Sequence, residues 1–314
     1  MSRRRIQILD GSYGFQLNKH LEKPLDHDPL WSSKALITNP DAVIKTHMDY
    51  IQAGVDIIET NTYQASVMGF MKHLGISREE SISLIEKAVE YAKIAISNCE
   101  KIGMKRPLVA GSVGPYGAYL HDGSEYTGSY MDFTTDRQLR EYHESRIDAL
   151  VRAGVDLLAI ETIPSKKEAS VLVDIVKKYP EVKVWVSFSC KMDGFSTASG
   201  DNFETTAVEI YKSNPSQIIA VGVNCLAPHI VESLIRNINA DRDEPIPLIV
   251  YANSGENYNP TSGWDNNCEK LEEYIPTWLN LGVTIIGGCC RVCSDYIEKI
   301  KEEVVRWEEQ QDSS

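Results

Sequence analysis

The segment AGVDIIET at residues 53–60 decides the fold of this chain, because a longer copy, AGVDLLAIET, recurs at residues 153–162. Each copy ends an amphipathic stretch at a glycine, enters a continuous apolar run and finishes on Glu-Thr. A weaker copy, LGVTIIGG, occupies residues 281–288. A helix that ends on glycine and leads into a buried strand is typical of the repeating unit of a parallel sheet.

Eight apolar strand candidates rich in β-branched residues extend this pattern along the chain. They read IQIL, VDIIET, PLVAGS, VDLLAIET, VKVWVSFS, IIAVGVN, IPLIVYAN and VTIIGG. Amphipathic stretches of helical period separate them, with Ser, Thr or Asp near several starts and Gly near several ends. Eight alternating units predict an α/β protein with a single-domain (β/α)8 TIM barrel rather than an open sheet. We assign residues 1–305 to the barrel and residues 306–314 to an acidic, frayed C-terminal tail.

Composition excludes several classes of protein and partner. The chain has 314 residues, of which 42% are hydrophobic and 25% charged, as in ordinary folded proteins. A net charge of -13 would repel a phosphate backbone, so nucleic acid is not an expected partner. The start lacks the apolar run of a signal peptide, and an odd count of seven cysteines does not suit a secreted disulfide framework. We therefore expect a cytoplasmic protein that acts on small molecules away from membranes, as a monomer.

Three connections are too long for ordinary βα loops: residues 12–39, 115–134 and 253–267. In a barrel such loops form the mouth of the active site at the carboxyl ends of the strands. The middle loop, residues 115–134, is called the tyrosine loop below because it holds Tyr116, Tyr119, Tyr126, Tyr130 and Phe133. Its rings predict either a lid over the site or simple packing of the loop on the barrel rim.

Three cysteines are predicted to meet at this mouth. Cys225 follows the sixth strand, and Cys289 and Cys290 follow the eighth. Adjacent strand residues point to opposite faces, so we expect the flexibility of Gly287-Gly288 to let the pair converge. Three thiolates with one open position match a catalytic zinc site, while buried cysteines without metal are the alternative. That alternative is retained for the other four cysteines, Cys99, Cys190, Cys268 and Cys293.

Polar side chains also stand near the carboxyl ends of the predicted strands. Asp10, Glu59 and Glu161 suit the ammonium group of an amino-acid substrate, although carboxylates at such positions also cap helices or brace loops. Asn224 directly precedes Cys225 and is a candidate to orient that ligand or the substrate. His229, near a predicted helix start, is expected on a helix surface rather than on a metal.

Seven motifs, in their order and spacing, resemble the homocysteine S-methyltransferase family over essentially the whole chain. They are LDGSYG (9–14), IETNTYQAS (58–66), GSVGPYGAYLHDGSEYTGSY (111–130), IETIPS (160–165), VNC (223–225), YANSGE (251–256) and GGCCR (287–291). The resemblance implies zinc as the cofactor and homocysteine held by Asp10, Gly11 and Glu161. The segment GPYGAYLHDGSEYTGSY resembles the branch that uses S-methylmethionine or S-adenosylmethionine, which includes the selenocysteine methyltransferases, rather than the betaine branch.

The chemistry implied by the resemblance is transfer of a methyl group from a sulfonium to a thiolate, giving methionine. A sulfonium leaves as a neutral thioether, so no general acid is needed. Aromatic faces attract such a cation, and Trp31, Tyr116 and Trp264 lie in the long loops as candidate donor contacts. The alternatives are selenocysteine as the main acceptor, a zinc or thiol protein without catalysis, and a zinc hydrolase, which would usually use His or carboxylate ligands.

Overall fold

The computed structural model describes residues 5–25, 28–256, 258–259, 263–265 and 267–312, with residues 258, 259, 263 and 264 described by their backbone alone. The strands in this part of the chain are β1 (Gln7–Ile8), β2 (Ile57–Glu59), β3 (Leu108–Val113), β4 (Leu157–Ile163), β5 (Lys183–Phe188), β6 (Ile218–Asn224), β7 (Leu248–Ala252), β8 (Tyr258–Asn259), β9 (Gly263–Trp264) and β10 (Val283–Gly288). The α-helices are α1 (Tyr13–Asn18), α2 (Ala35–Thr38), α3 (Pro40–Ala53), α4 (Val67–Leu74), α5 (Arg78–Glu100), α6 (Tyr116–Leu120), α7 (Asp136–Arg152), α8 (Lys166–Val176), α9 (Phe203–Ser213), α10 (Pro228–Ile235), α11 (Ile275–Asn280) and α12 (Ser294–Asp312).

Eight of the strands form one parallel sheet in the order β1-β10-β7-β6-β5-β4-β3-β2. The two ends of the sheet meet, because Leu9 and Ile57 form a parallel bridge and the Asp56 amide donates to the Ile8 carbonyl at 2.8 Å. Every strand candidate from the sequence overlaps one of these eight strands. The predicted barrel fold is therefore confirmed, and β8 and β9 form a small antiparallel pair outside it.

The repeated AGVD motif has a specific role at the amino ends of the strands. Gly54 and Gly154 end helices α3 and α7 with positive φ angles of 83° and 77°, a conformation that glycine adopts without steric cost. Two residues later, Asp56 accepts a hydrogen bond from the Ile8 amide at 3.1 Å, and Asp156 accepts one from the Val109 amide at 2.8 Å. The motif therefore turns the chain and fastens each strand to its neighbour.

Side chains fill the inside of the barrel. Trp185 and Tyr251 are fully or almost fully buried there, and the Trp185 indole donates to the Tyr251 hydroxyl at 3.2 Å. The opposite faces of the strands pack against the surrounding helices in a second apolar layer. Because the interior is occupied, the mouth at the carboxyl ends of the strands is the place where a substrate can bind.

The acidic C-terminal segment is helical, which corrects the prediction of a frayed tail from residue 306. Helix α12 continues to Asp312, and the Trp307 indole donates to the Asn280 side chain at 3.1 Å. Apolar residues at positions 297, 300, 304 and 307 continue one helical face across the predicted boundary. Within the described residues, no helix combines the length and the apolar character needed to cross a bilayer.

Candidate metal and substrate site

The sulfur atoms of Cys225, Cys289 and Cys290 lie within 4.8 Å of one another at the barrel mouth. The Sγ atoms of Cys225 and Cys290 are 3.4 Å apart, and none of the three cysteines forms a disulfide. Ligands of a tetrahedral zinc ion with bonds of about 2.3 Å have sulfur atoms about 3.8 Å apart. The cluster therefore fits a zinc ion, and all three cysteines are half-buried residues.

The two adjacent cysteines converge for a reason that differs from the predicted one. Gly287 and Gly288 lie in strand β10 without positive φ angles, so their backbone freedom is not used. Their role is space: a Cβ on Gly287 would lie 2.6 Å from the Asp10 carbonyl oxygen, and one on Gly288 would lie 2.1 Å from Val292. The chain bends after the strand, where the Val292 amide donates to the Cys289 carbonyl at 2.9 Å.

The end of strand β7 holds both cysteine segments in place. The Cys225 amide donates to the Tyr251 carbonyl at 3.1 Å, and the Cys289 amide donates to the Ala252 carbonyl at 2.8 Å. Cys225 itself has a φ of 55°, which is an uncommon conformation for a residue with a side chain. Beyond the pair, Arg291 forms an ion pair with the buried Glu256. These contacts fix the positions of the sulfur atoms before any metal binds.

The three thiols influence one another's protonation. Hydrogen bonds from Cys289 and Cys290 hold the pKa of Cys225 well below its usual range. The same contacts with Cys225 raise the pKa of Cys289 and of Cys290. A thiolate therefore forms first at Cys225, and a bound cation would favour loss of the remaining protons.

Three carboxyl groups lie beside the cysteines. Asp10 accepts a hydrogen bond from the Glu59 amide at 2.8 Å, and Glu161 accepts one from the Ser112 hydroxyl. Oδ1 of Asp10 and Oε1 of Glu59 are buried without a hydrogen-bond partner. Burial raises the pKa of all three groups and their mutual repulsion adds to it for Asp10 and Glu59, with Glu161 reaching about 7. A cation that donates hydrogen bonds would stabilise the ionised forms of these three carboxyl groups.

Gly11 and Asn224 contact the segments that carry the cysteines and Glu161. A Cβ on Gly11 would lie 2.2 Å from the Val292 carbonyl oxygen, so glycine permits the loop after β1 to contact the cysteine turn. Both amide atoms of Asn224 bond to Thr162, at 2.9 Å to its backbone N–H and 2.7 Å to its hydroxyl. Asn224 thus stabilises the positive φ of 59° at Thr162, directly after Glu161, rather than contacting the sulfur cluster.

The aromatic candidates for donor binding lie at different depths. Tyr116 packs its ring against Tyr119, Tyr130 and Tyr142, with centroids 5.1 to 5.7 Å apart. Trp31 lies edge-on to His121 at 6.1 Å between ring centroids. The side chain of Trp264 lies outside the described residues.

Tyr126, in the tyrosine loop, reaches the cysteine cluster. Its hydroxyl lies 3.3 Å from the Cys225 Sγ. In the sequence, this tyrosine is one of five aromatic residues in the loop. No spacing signal distinguishes it, because its position depends on how the loop folds.

A buried carboxylate in another helix anchors the tyrosine loop. Glu168 of α8 is fully buried and accepts hydrogen bonds from the Tyr116 amide at 2.7 Å, the Tyr130 hydroxyl at 2.5 Å and His143 Nε2 at 2.8 Å. Both ends of the loop are therefore tied to the same group. The anchor fixes the intervening residues, including Tyr126, over the mouth.

The remaining candidates lie apart from this cluster. Among the described residues, Cys225, Cys289 and Cys290 form the only compact group of metal-ligating side chains, so Cys99, Cys190, Cys268 and Cys293 do not join it. His229 Nδ1 lies 2.6 Å from Glu269 Oε1 near the start of α10. It is placed as expected, away from the sulfur atoms.

Comparison with known proteins identifies the family. A family model described as homocysteine S-methyltransferase matches residues 7–304. A betaine-homocysteine S-methyltransferase of Drosophila melanogaster is 43% identical, covering 95% of this chain and 94% of the relative. A selenocysteine Se-methyltransferase of Brassica oleracea var. italica is 38% identical, covering 95% and 88%. The metallated crystal structure of the homocysteine methyltransferase MmuM from Escherichia coli superposes with a TM-score of 0.83 at 34% identity, covering 96% of both chains. The chain therefore belongs to the homocysteine S-methyltransferase family.

Proposed function

We propose that this protein is a zinc-dependent methyltransferase that moves a methyl group from a sulfonium donor, S-methylmethionine or S-adenosylmethionine, to the thiolate of L-homocysteine, giving methionine. The observation that carries the proposal is the position of three mutually close cysteines beside three carboxyl groups at one barrel mouth, of which Asp10 and Glu161 belong to buried residues. One part of this site suits a sulfur atom and the other suits an ammonium group. Homocysteine carries both.

The donor set supports zinc as the cofactor. Three thiolates are soft ligands that select zinc over magnesium or calcium, and they leave one coordination position for a substrate. When bound, zinc would act as a Lewis acid that lowers the pKa of the acceptor thiol, which is otherwise mostly protonated at neutral pH. Cys225, Cys289 and Cys290 would hold it.

The carboxyl groups support an amino-acid acceptor. Asp10 Oδ1 lacks a partner, Glu161 accepts from Ser112, and the Glu161 charge adds to the burial that raises the pKa of Asp10. An ammonium group donates three hydrogen bonds and offsets the repulsion among the carboxylates. We assign this pairing to Asp10 and Glu161, with Glu59 next to them and Gly11 providing the close backbone approach.

The proposed reaction balances without a further co-reactant. The carbon–sulfur bond of the donor breaks and its electron pair stays on the donor sulfur, which becomes a neutral thioether. A lone pair of the acceptor thiolate forms the new bond to the methyl carbon. The acceptor proton is released to solvent when the thiol ionises. This chain's task is to align the two sulfur atoms and the methyl carbon.

Betaine is the second candidate donor, favoured by the printed name of the Drosophila relative. The composition of the tyrosine loop supports a sulfonium instead, because residues 115–134 contain no Lys or Arg that could pair with the betaine carboxylate. The same segment supplies Asp122, Ser124 and Glu125 for a larger donor with an amino-acid or nucleoside arm. Selenocysteine is the second candidate acceptor, favoured by the name of the Brassica relative.

Turnover with three donors tests the proposal. Zinc-loaded protein is mixed with homocysteine and, separately, with S-methylmethionine, S-adenosylmethionine or betaine at matched concentrations, and methionine is measured by mass spectrometry. The proposal predicts faster transfer from a sulfonium than from betaine. Faster transfer from betaine would reject the sulfonium donor, and no methionine from any donor would favour a zinc or thiol protein without catalysis. Repeating the series with selenocysteine compares the two acceptors.

A further inference from the structure

Another buried carboxyl group, Glu125, lies in the tyrosine loop and is not used by the acceptor site described above. Its residue is only 4% exposed, and its Oε2 atom has no hydrogen-bond partner. The neighbouring residue, Tyr126, contacts the Cys225 sulfur. Glu125 is therefore a hydrogen-bond acceptor at the mouth, and one of its carboxyl oxygens has no partner.

The backbone around Glu125 is fixed tightly, so the side chain cannot easily turn to solvent. The Glu125 carbonyl accepts a hydrogen bond from the Ser189 hydroxyl at 2.7 Å. A Cβ on Gly117 would lie 2.6 Å from the Glu125 nitrogen, which shows how closely α6 packs on this residue. Burial is the main cause that raises the pKa of Tyr63 and of Glu125, and the charge of Glu125 adds to the shift of Tyr63 as the charge of Cys225 adds to that of Glu125.

The unpartnered oxygen of Glu125 limits which chemical groups can bind there. A buried carboxylate oxygen needs a hydrogen-bond donor, and leaving it without one is costly. A sulfonium and a quaternary ammonium are both cations, but neither carries an N–H or O–H group. A primary ammonium group carries three N–H donors. The matching ligand is therefore a cation with N–H groups rather than a methylated onium centre.

We infer that Glu125 binds the α-ammonium group of the methyl donor, so that the preferred donors are sulfonium compounds with an amino-acid arm. The inference rests on the proposed function and names the part of the donor that the tyrosine loop recognises. Glu125 would then discriminate against betaine, which has no N–H group. The acceptor ammonium would remain with Asp10 and Glu161.

The effect of Glu125 on KM and kcat depends on how the sulfonium and ammonium charges of the donor change during the reaction. The sulfonium charge disappears during transfer, whereas the ammonium charge is the same in the bound substrate and in the transition state. Glu125 therefore contributes to binding of both states equally, which affects KM more than kcat. The variant Glu125→Gln keeps the shape of the side chain and removes its charge.

The test compares two donors that differ only in the ammonium group: S-methylmethionine and 4-(dimethylsulfonio)butanoate, which is S-methylmethionine without it. We expect Glu125→Gln to raise the KM for S-methylmethionine by roughly 10-fold to 100-fold with kcat within about 3-fold, the range for loss of a hydrogen bond to a charged group. For the analogue, kcat/KM should agree within about 3-fold between wild type and variant. Zinc content and the KM for homocysteine should not change.

A matched control is Asp132→Asn, which makes the same charge change at an exposed position of the same loop. It should leave both donors' kinetics at wild-type values. The inference is overturned if wild-type protein uses S-methylmethionine and Glu125→Gln has an unchanged KM for it, loses both donors equally, or raises the homocysteine KM instead. If wild-type protein uses S-adenosylmethionine but not S-methylmethionine, the same KM comparison is made with S-adenosylmethionine, which carries the same α-ammonium group, and an unchanged KM overturns the inference. If wild-type protein uses neither sulfonium, the proposed function fails and the inference falls with it.

Discussion

Replacing Glu125 by Gln should stabilise the protein at alkaline pH and not at acidic pH. Burial is the main cause that raises the Glu125 pKa from its usual 4.5 to about 7. The folded protein therefore binds a proton more tightly than the unfolded chain, and stability from this group is present below pH 4.5 and lost as pH rises through 7. At about 1.36 kcal/mol per pKa unit, the loss amounts to about 3 kcal/mol. Gln carries no charge at any of these pH values, so the variant keeps this stability as pH rises.

Urea unfolding of both proteins with equal zinc content, at pH 5 and at pH 8, measures this effect. We expect the variant to exceed wild type by about 3 kcal/mol at pH 8 and the difference to be small at pH 5. Other groups that titrate in this range, such as Glu161, contribute equally to both proteins and cancel in the comparison. Asp132→Asn should show no such difference. A Glu125→Gln variant that is equally or less stable at pH 8 would show that Glu125 is not held in a desolvated site.

Three further changes test other parts of the site. Cys289→Ala should lose most bound zinc and the transfer activity together, whereas Cys293→Ala should keep both near wild-type levels. Metal analysis and turnover measure the two effects. Full zinc content and full activity in Cys289→Ala would reject the ligand assignment. Glu161→Ala should raise the KM for homocysteine while zinc content stays at one per chain, since the carboxylate pairs with the ammonium; an unchanged KM would refute that role. Glu168→Ala removes the acceptor for three hydrogen-bond donors. It should lower the free energy of unfolding by about 3 kcal/mol or more and increase proteolysis within residues 115–134. Unchanged protection of that loop would contradict the role of Glu168 as its anchor.

Regular features of the sequence were enough to predict the fold and the sulfur cluster. The AGVD motif repeats because the helices before β2 and β4 end in the same left-handed turn, at Gly54 and Gly154. Parallel strands in a closed barrel bring all carboxyl ends to one mouth, so Cys225 and Cys289 must approach each other although they are distant in sequence. These predictions depend only on topology.

Features that depend on tertiary packing were not predictable in the same way. Tyr126 and Glu125 reach the site because Glu168, more than 40 residues away in sequence, ties down the loop that carries them. Gly287 and Gly288 are needed for space against Asp10 and Val292, a contact that no local pattern reveals. The acidic composition of the C-terminal segment obscured the helical spacing of its apolar residues.

The most direct test of the account follows the transferred carbon. Zinc-loaded protein is incubated with uniformly ¹³C-labelled homocysteine and with S-methylmethionine whose sulfonium methyl groups carry deuterium, and the methionine is examined by mass spectrometry. The account predicts methionine that carries both the ¹³C backbone and one deuterated methyl group, and no such product in Cys289→Ala. Absence of the doubly labelled product from fully zinc-loaded wild-type protein, both with this donor and with S-adenosylmethionine labelled in the same way, would contradict methyl transfer from a sulfonium to the homocysteine sulfur.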